Sequence, residues 1–286
     1  MADSSQNSSN ANVGGMTSHL RDRGWHLASV RRDFAITGVL SAIMVVVAYM
    51  FIDVRVSWFA LEQDWLKPIA NVITQFGDTK FYYITLVVAL LSTLFLDRGP
   101  VKKNLHYWLL LAAILFFYGW GDRLYRHYEW VVIFPAIGVA WLIYRRRDLV
   151  SWALFLMLAI AWSGLSVNIV KIIFGRFRPS ELQQAGHFGF DFFTIGPANA
   201  SFPSGHATAA ATLATVLWLM YPRQWMLWVV VGLVIAFSRV FTLSHYVSDV
   251  VAGLYFGSFM TLVLHYFLTS RRTIHPFLVL NAPSAK

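Results

Sequence analysis

Three short stretches of the chain gather residue types that can grip an oxyanion and exchange protons with it. In Ser238-Arg239-Val-Phe-Thr-Leu-Ser-His245-Tyr-Val-Ser-Asp249, His245 and Asp249 stand at an i, i+4 separation, which puts them on one face of a helix. A carboxylate that accepts the Nδ1 proton fixes the imidazole tautomer, leaves Nε2 as a nucleophile and stabilises the cation formed on attack. The blander alternative is a structural His–Asp pair that bridges two helices. A second stretch, Ser201-Phe-Pro203-Ser204-Gly205-His206, comes just before an Ala/Thr-rich run that begins at Ala207. Pro and Ser start the helix, and Gly205 removes the side chain that would keep a ligand from the backbone N–H groups. Free amides and the positive end of the helix dipole favour an anion there, with His206 beside it. The third stretch, Lys171-Ile-Ile-Phe-Gly-Arg176-Phe-Arg178-Pro179, places Lys171 and Arg178 seven residues apart, two helical turns, before Pro179 ends the helix. Arg176 either adds to that cationic group or faces lipid headgroups. His187, in the link that follows, reads as a bystander.

The elements that must position these residues are written in the composition. The chain has 286 residues, 57% hydrophobic and 13% charged, with 12 Trp, 12 Tyr and 23 Phe. Mean hydropathy is +0.56. A soluble domain would be about a quarter charged, so most of this chain meets lipid, with amphipathic aromatics at headgroup level. The absence of cysteine excludes disulfides, thiolate metal sites and cysteine nucleophiles and says nothing about compartment. The net charge of +9 is read as the Lys/Arg excess of cytoplasmic loops, not as a nucleic-acid surface.

Nearly charge-free apolar stretches at 34–52, 81–96, 105–121, 130–144, 149–170, 207–221, 225–238 and 250–268 predict an all-α polytopic transmembrane helical bundle of about eight spans. The pair within 105–144 reads alternatively as a re-entrant hairpin, which would leave six spans and every later loop on the same side. Residues 1–33 read as a disordered cytoplasmic tail, 34–270 as the membrane domain and 271–286 as a cytoplasmic C-terminal tail. Arginine and lysine cluster in alternate gaps, which places both termini inside and the gaps 53–80, 122–129, 171–206 and 239–249 outside. All three chemical stretches then share the outer side. The Asp53–Lys80 gap reads either as an amphipathic helix on the outer leaflet or as an aromatic-belt connector. The link 180–200 exceeds the usual loop length and suits a lid.

Taken in order, Lys-x6-Arg-Pro, Pro-Ser-Gly-His and Ser-Arg-x5-His-x3-Asp resemble the three-part signature of the type 2 phosphatidic acid phosphatase superfamily. The resemblance covers Lys171 to Asp249 and matches at every signature position. It implies a six-helix phosphatase-type core with His245 as nucleophile, Asp249 as its orienting partner, and His206 as general acid and later base. Lys171, Arg178, Arg239, Ser204 and Gly205 would hold the phosphoryl oxygens, and no metal or other cofactor is implied. The nearest metal alternative, two histidines and one carboxylate, is opposed by cations that would repel a divalent ion. Vanadium haloperoxidases share the motif logic but are soluble, so a lipid-borne phosphate suits this chain better. The expected partners are the bilayer and a lipid phosphate or diphosphate: phosphatidate, phosphatidylglycerophosphate, undecaprenyl diphosphate or a lipid A phosphate. Neither nucleic acid nor a protein partner is indicated. The expected location is a bacterial inner membrane, with the site on the periplasmic face. A lipid phosphotransferase working through the same phosphohistidine and a non-catalytic lipid transporter remain as alternatives.

Overall fold

The computed structural model describes residues 27–95 and 130–270. The chain divides into two units, Met1–Ile43 and Met44–Lys286, and every site residue named above belongs to the second. Among the described residues the regular structure is helical, and the one extended pairing is an isolated antiparallel bridge between Arg176 and Phe190. Hydrocarbon offers no water to backbone N–H and C=O groups, so an apolar chain satisfies them within each segment, as helix.

Helix α1 (Leu27–Val47) continues through a π-helical turn (Ala48–Ile52) into α2 (Asp53–Glu62). Then come α3 (Leu66–Gln75), α4 (Thr79–Phe95), α5 (Trp130–Arg145), α6 (Val150–Phe174), α7 (Pro179–Ala185), α8 (Gly205–Met220), α9 (Trp225–Phe241) and α10 (Val247–Ser270). Four described stretches are long and apolar enough to cross a membrane: Arg32–Glu62, Val150–Phe174, Pro222–Phe241 and Val247–Thr269. Helices α4, α5 and α8, with 17, 16 and 16 residues, also coincide with expected spans but are shorter. The expected span at 105–121 lies outside the described residues. Leu165 and Ile169 on α6 and Val230 and Val234 on α9 are exposed, as side chains that face lipid are.

Helix α8 packs against α6, α9 and α10. Its Ala/Thr composition follows from that position, because small residues let backbones approach closely and hydroxyls can bond across helices. Thr212 Oγ1 meets Ser163 Oγ of α6 at 3.0 Å, and Thr215 Oγ1 donates to Ser258 Oγ of α10 at 3.2 Å. The α8–α10 contact is closest at Gly253 and Gly257, four residues apart on α10. A Cβ at those positions would stand 2.6 Å from Ser204 O and 2.3 Å from Thr208 O.

Two connecting segments differ from their expected form. Helix α3 buries Ala70 and Thr74 and packs on α9, so the 53–80 segment is part of the bundle rather than a helix resting on the leaflet. The 180–200 link is stitched down rather than free. Phe177 N donates to Gly189 O, Arg178 N to Ala198 O, Asp191 N to Gly175 O and Ser201 N to Arg176 O, all at 2.9–3.1 Å. Gly175 makes this approach possible: it caps α6 at φ +55°, and a Cβ there would lie 1.8 Å from Asp191 O.

Candidate active site

The bundle brings together the C-terminal end of α6, the turn after it, the N-terminus of α8, the C-terminal end of α9 and the first turn of α10. Ser204 is the N-cap of α8; its Oγ accepts from Ala207 N, and its own N–H donates to Asp249 O at 3.0 Å. The Pro-Ser-Gly-His turn and the start of α10 are thereby tied backbone to backbone. After α9, the N–H groups of Ser244 and His245 both donate to Arg239 O, which folds His245 back beside Arg239.

His245 is 2% exposed, and its Nδ1 lies 2.8 Å from the carbonyl oxygen of Ser201. A carbonyl can only accept, so the neutral imidazole carries its proton on Nδ1 and keeps the lone pair on Nε2. Burial, reinforced by the Arg239 and Lys171 cations and opposed by Asp249, pushes the imidazole down to about 4. His245 is therefore neutral at neutral pH.

Asp249 does not clamp the imidazole directly. Its Oδ2 stands 3.8 Å from His245 Nδ1 and accepts hydrogen bonds from Ser201 Oγ at 2.6 Å and Tyr246 N at 2.8 Å. The i, i+4 spacing misleads because α10 begins at Val247, so His245 sits in the preceding turn and not on the helical face of Asp249. Control passes through Ser201, whose hydroxyl holds Asp249 while its carbonyl holds His245.

Lys171, Arg178, Arg239 and His206 lie within electrostatic reach of one another, and His206 also of His245. Lys171 Nζ donates to Ala200 O at 3.1 Å, and a Cβ on Gly205 would stand 3.7 Å from that ammonium, which places the cation over the bare start of α8. Arg239 Nη1 donates to Thr74 Oγ1 of α3 at 3.1 Å. The Nε groups of Arg178 and Arg239 are buried without a protein acceptor. Burial also lowers the Arg178 guanidinium from its ordinary value. A phosphoryl group, with its charge spread over several oxygens, suits such a group of unspent donors.

Arg176 goes elsewhere. It is fully buried behind the site and pairs with Asp53 and Asp249, not with the cationic group at the pocket. Its neighbour Arg178, two residues on, lies within electrostatic reach of Lys171. Sequence reading missed Asp53, Thr74 and Gly77, the last so close to His206 that a Cβ would come within 3.1 Å of the imidazole Cδ2. Only Asp53 had a legible signal, a lone acid at the end of an apolar span, which is a functional suspect because burying it is costly.

Parts of the chain are similar to known proteins. The PAP2 superfamily pattern matches residues 152–273, which take in α7 to α10 and all but the first two residues of α6. A lipid A 1-phosphatase of Rhizobium johnstonii is 29% identical over 224 residues, covering 73% of this chain and 88% of that protein. An undecaprenyl-diphosphatase of Sulfolobus acidocaldarius is 27% identical over 137 residues, covering 48% of this chain and 62% of that protein. A crystal structure of a transmembrane PAP2-type phosphatidylglycerolphosphate phosphatase from Bacillus subtilis covers 83% of this chain and 98% of its own, at a TM-score of 0.43 and 19% identity. The matched region carries Lys171, Arg178, Ser204, Gly205, His206, Arg239, His245 and Asp249, and it is over residues 152–273 that this integral membrane chain resembles the PAP2 superfamily.

Proposed function

We propose that this protein is a membrane phosphatase that hydrolyses a lipid-borne phosphate through a phosphohistidine on His245. The observation that carries the reading is the placement of a neutral, oriented imidazole beside cationic donors and a helix N-terminus, all at the ends of membrane helices. Lys171, Arg178, Arg239 and the first amides of α8 hold the phosphoryl oxygens and neutralise charge that spreads over them in the transition state. Nε2 of His245 attacks phosphorus in line with the leaving oxygen, and His206 donates a proton to that oxygen. The phosphate's own negative charge favours the protonated imidazole of His206 at this stage. A water then gives its proton to His206 and attacks the phosphohistidine, which releases inorganic phosphate and restores both histidines. Ser204 and Asp249 act at the edges of the site, the first as cap of α8 and the second by holding Ser201.

Exposed apolar faces of α6 and α9, whose ends carry Lys171 and Arg239, favour a substrate whose phosphate is carried on a hydrocarbon anchor. The lipid A 1-phosphatase relative, of which 88% is covered, makes a lipid A-type phosphate the first substrate to assay. Phosphatidate, phosphatidylglycerophosphate and undecaprenyl diphosphate complete the panel. The site is assigned to the periplasmic side of a bacterial inner membrane, with the segments before α1 and after α10 in the cytoplasm.

The test is release of inorganic phosphate by purified protein in EDTA, with a search for an acid-labile, base-stable phosphoryl adduct in rapidly quenched samples. Wild type is expected to turn over and to label on His245, while His245→Ala does neither. Full activity in His245→Ala would remove the mechanism. A phosphorylated lipid acceptor in place of free phosphate would make the protein a transferase.

A further inference from the structure

The matched domain starts at residue 152, yet a carboxylate that supports the site comes from far upstream. Asp53, the first residue of α2, is 1% exposed. It accepts from Arg176 Nη2 at 2.7 Å, from Ser248 N at 2.9 Å and from Ser248 Oγ. Arg176 Nη1 in turn donates to Ser248 Oγ at 2.6 Å and to Asp249 Oδ1. The guanidinium is enclosed by the rings of Tyr49, Phe188, Phe190 and Tyr246, whose centroids lie 5.0, 5.7, 5.3 and 4.4 Å from its carbon. Tyr49 belongs to the π-helical turn that leads into α2, and such turns tend to occur where a helix serves a site.

We propose that Asp53 and Arg176 are a positioning pair that fixes Asp249 and sets the negative charge Asp249 presents to His245, which makes the Tyr49–Asp53 segment, upstream of the matched region, a working part of the active centre. This rests on the phosphohistidine reading above. The reasoning is one of charge. The other groups that act on His245 are cationic or become so: Lys171 from α6, His206 from α8 and Arg239 from α9. Asp249 is the one carboxylate among them, and the imidazole becomes positive when it bonds to phosphorus. Arg176 is the guanidinium that pairs directly with Asp249, and without a second carboxylate it would offset most of that negative charge. Asp53 takes half of that guanidinium, so two carboxylates and one cation leave a net negative charge behind Ser201 and His245. A buried guanidinium is costly without charge partners, so the second carboxylate, which accepts from Nη2, helps keep Arg176 in place although its Nε has no acceptor.

The test compares wild type, Asp53→Asn, Arg176→Gln and the double variant, with dioctanoyl phosphatidate in detergent micelles. Asp53→Asn makes the support neutral and is expected to lower kcat about tenfold, the equivalent of one pKa unit, with KM within about twofold. Arg176→Gln leaves two carboxylates and is expected to raise the acid limb of kcat/KM by about one pH unit. The double variant restores the net charge and should return the limb to its wild-type position and recover part of the lost kcat. Losses that simply multiply in the double variant, or limbs that do not move in Arg176→Gln, would overturn the proposal. The same shifts are read without turnover by NMR titration of labelled imidazoles, with the His245 signal assigned from its loss in His245→Gln. That arm stands even if phosphatidate is not hydrolysed, in which case the functional reading fails separately. If a single variant does not fold, the double variant, which keeps the wild-type net charge of the group, still decides by the position of its His245 titration.

Discussion

At the scale of single residues, burial keeps His245 neutral and the Ser201 carbonyl holds it in one tautomer. Because burial lowers its pKa to about 4, protonation removes the Nε2 lone pair only in acid. The sign is therefore definite: kcat/KM, which reports the free enzyme, rises as pH climbs through about 4 and shows no further His245-dependent change above it. A profile on short-chain phosphatidate from pH 3 to 8 checks this. A His245-dependent limb near the ordinary imidazole value of about 6.5 would contradict the buried setting.

Ser201 gives a second test at this scale. Ser201→Ala keeps the carbonyl that accepts from Nδ1 but removes the hydroxyl that holds Asp249 Oδ2 at 2.6 Å. Leaving a buried carboxylate short of one donor costs about 1–3 kcal/mol, so kcat should fall by roughly five- to a hundredfold, with Ser201→Thr retaining most of it. The cations, both histidines and Asp249 were legible because their types and order are a sequence property. The link between Asp249 and His245 was not, because spacing within one segment cannot show that a serine from another loop stands between them. Arg176 and Arg178 look equivalent in the sequence; only the turn at Gly175 sends one behind the site and the other to its front.

Among elements, the decisive contact is α8 on α10, since it sets His206 and Ser204 against His245 and Asp249. It depends on two glycines of α10 whose absent side chains admit the carbonyls of Ser204 and Thr208. Gly257→Val is expected to force these helices apart and lower the melting temperature in detergent, at a cost of about 1–3 kcal/mol or more from overpacking. Its activity should fall with it as the two histidines separate. Gly164→Ala on α6 meets nothing within 4 Å and should leave both quantities unchanged. Equal melting temperatures for the two variants would show that the helices do not touch as described. Hydropathy revealed which segments are helices, since long apolar runs have no other way to satisfy their backbone. It could not reveal which runs cross fully, because α8 is short and apolar for a different reason: other helices cover it. Nor could it reveal that α3 turns inward to give Thr74 to Arg239, a contact set by packing and not by periodicity.

For the molecule as a whole, the remaining question is on which side of the membrane the phosphate is cleaved, and the distribution of charge makes a definite prediction. Alternate gaps carry the arginines, among them Arg145 to Arg147 and Arg223, while the gap that holds Lys171 and Arg178 spends its cations inside the site. Discounting those, the positive-inside bias puts the Arg223 turn in the cytoplasm and the 180–204 link outside. The 20 residues of Pro222–Phe241 rise about 30 Å, enough to separate the two sides. The chain has no cysteine, so any introduced thiol is unique. Gln184, beside the site, and Gln224, at the far end of α9, are both exposed and lie outside the phosphate group. In intact cells or right-side-out vesicles, Gln184→Cys is expected to react with a membrane-impermeant maleimide, and Gln224→Cys only after the membrane is opened. The reverse pattern would place the site in the cytoplasm and redirect the search toward lipids of the inner leaflet. Labelling of both without permeabilisation would mean that α9 does not cross at all, and a helix carrying Arg239 at one end and Arg223 at the other would then need a different account.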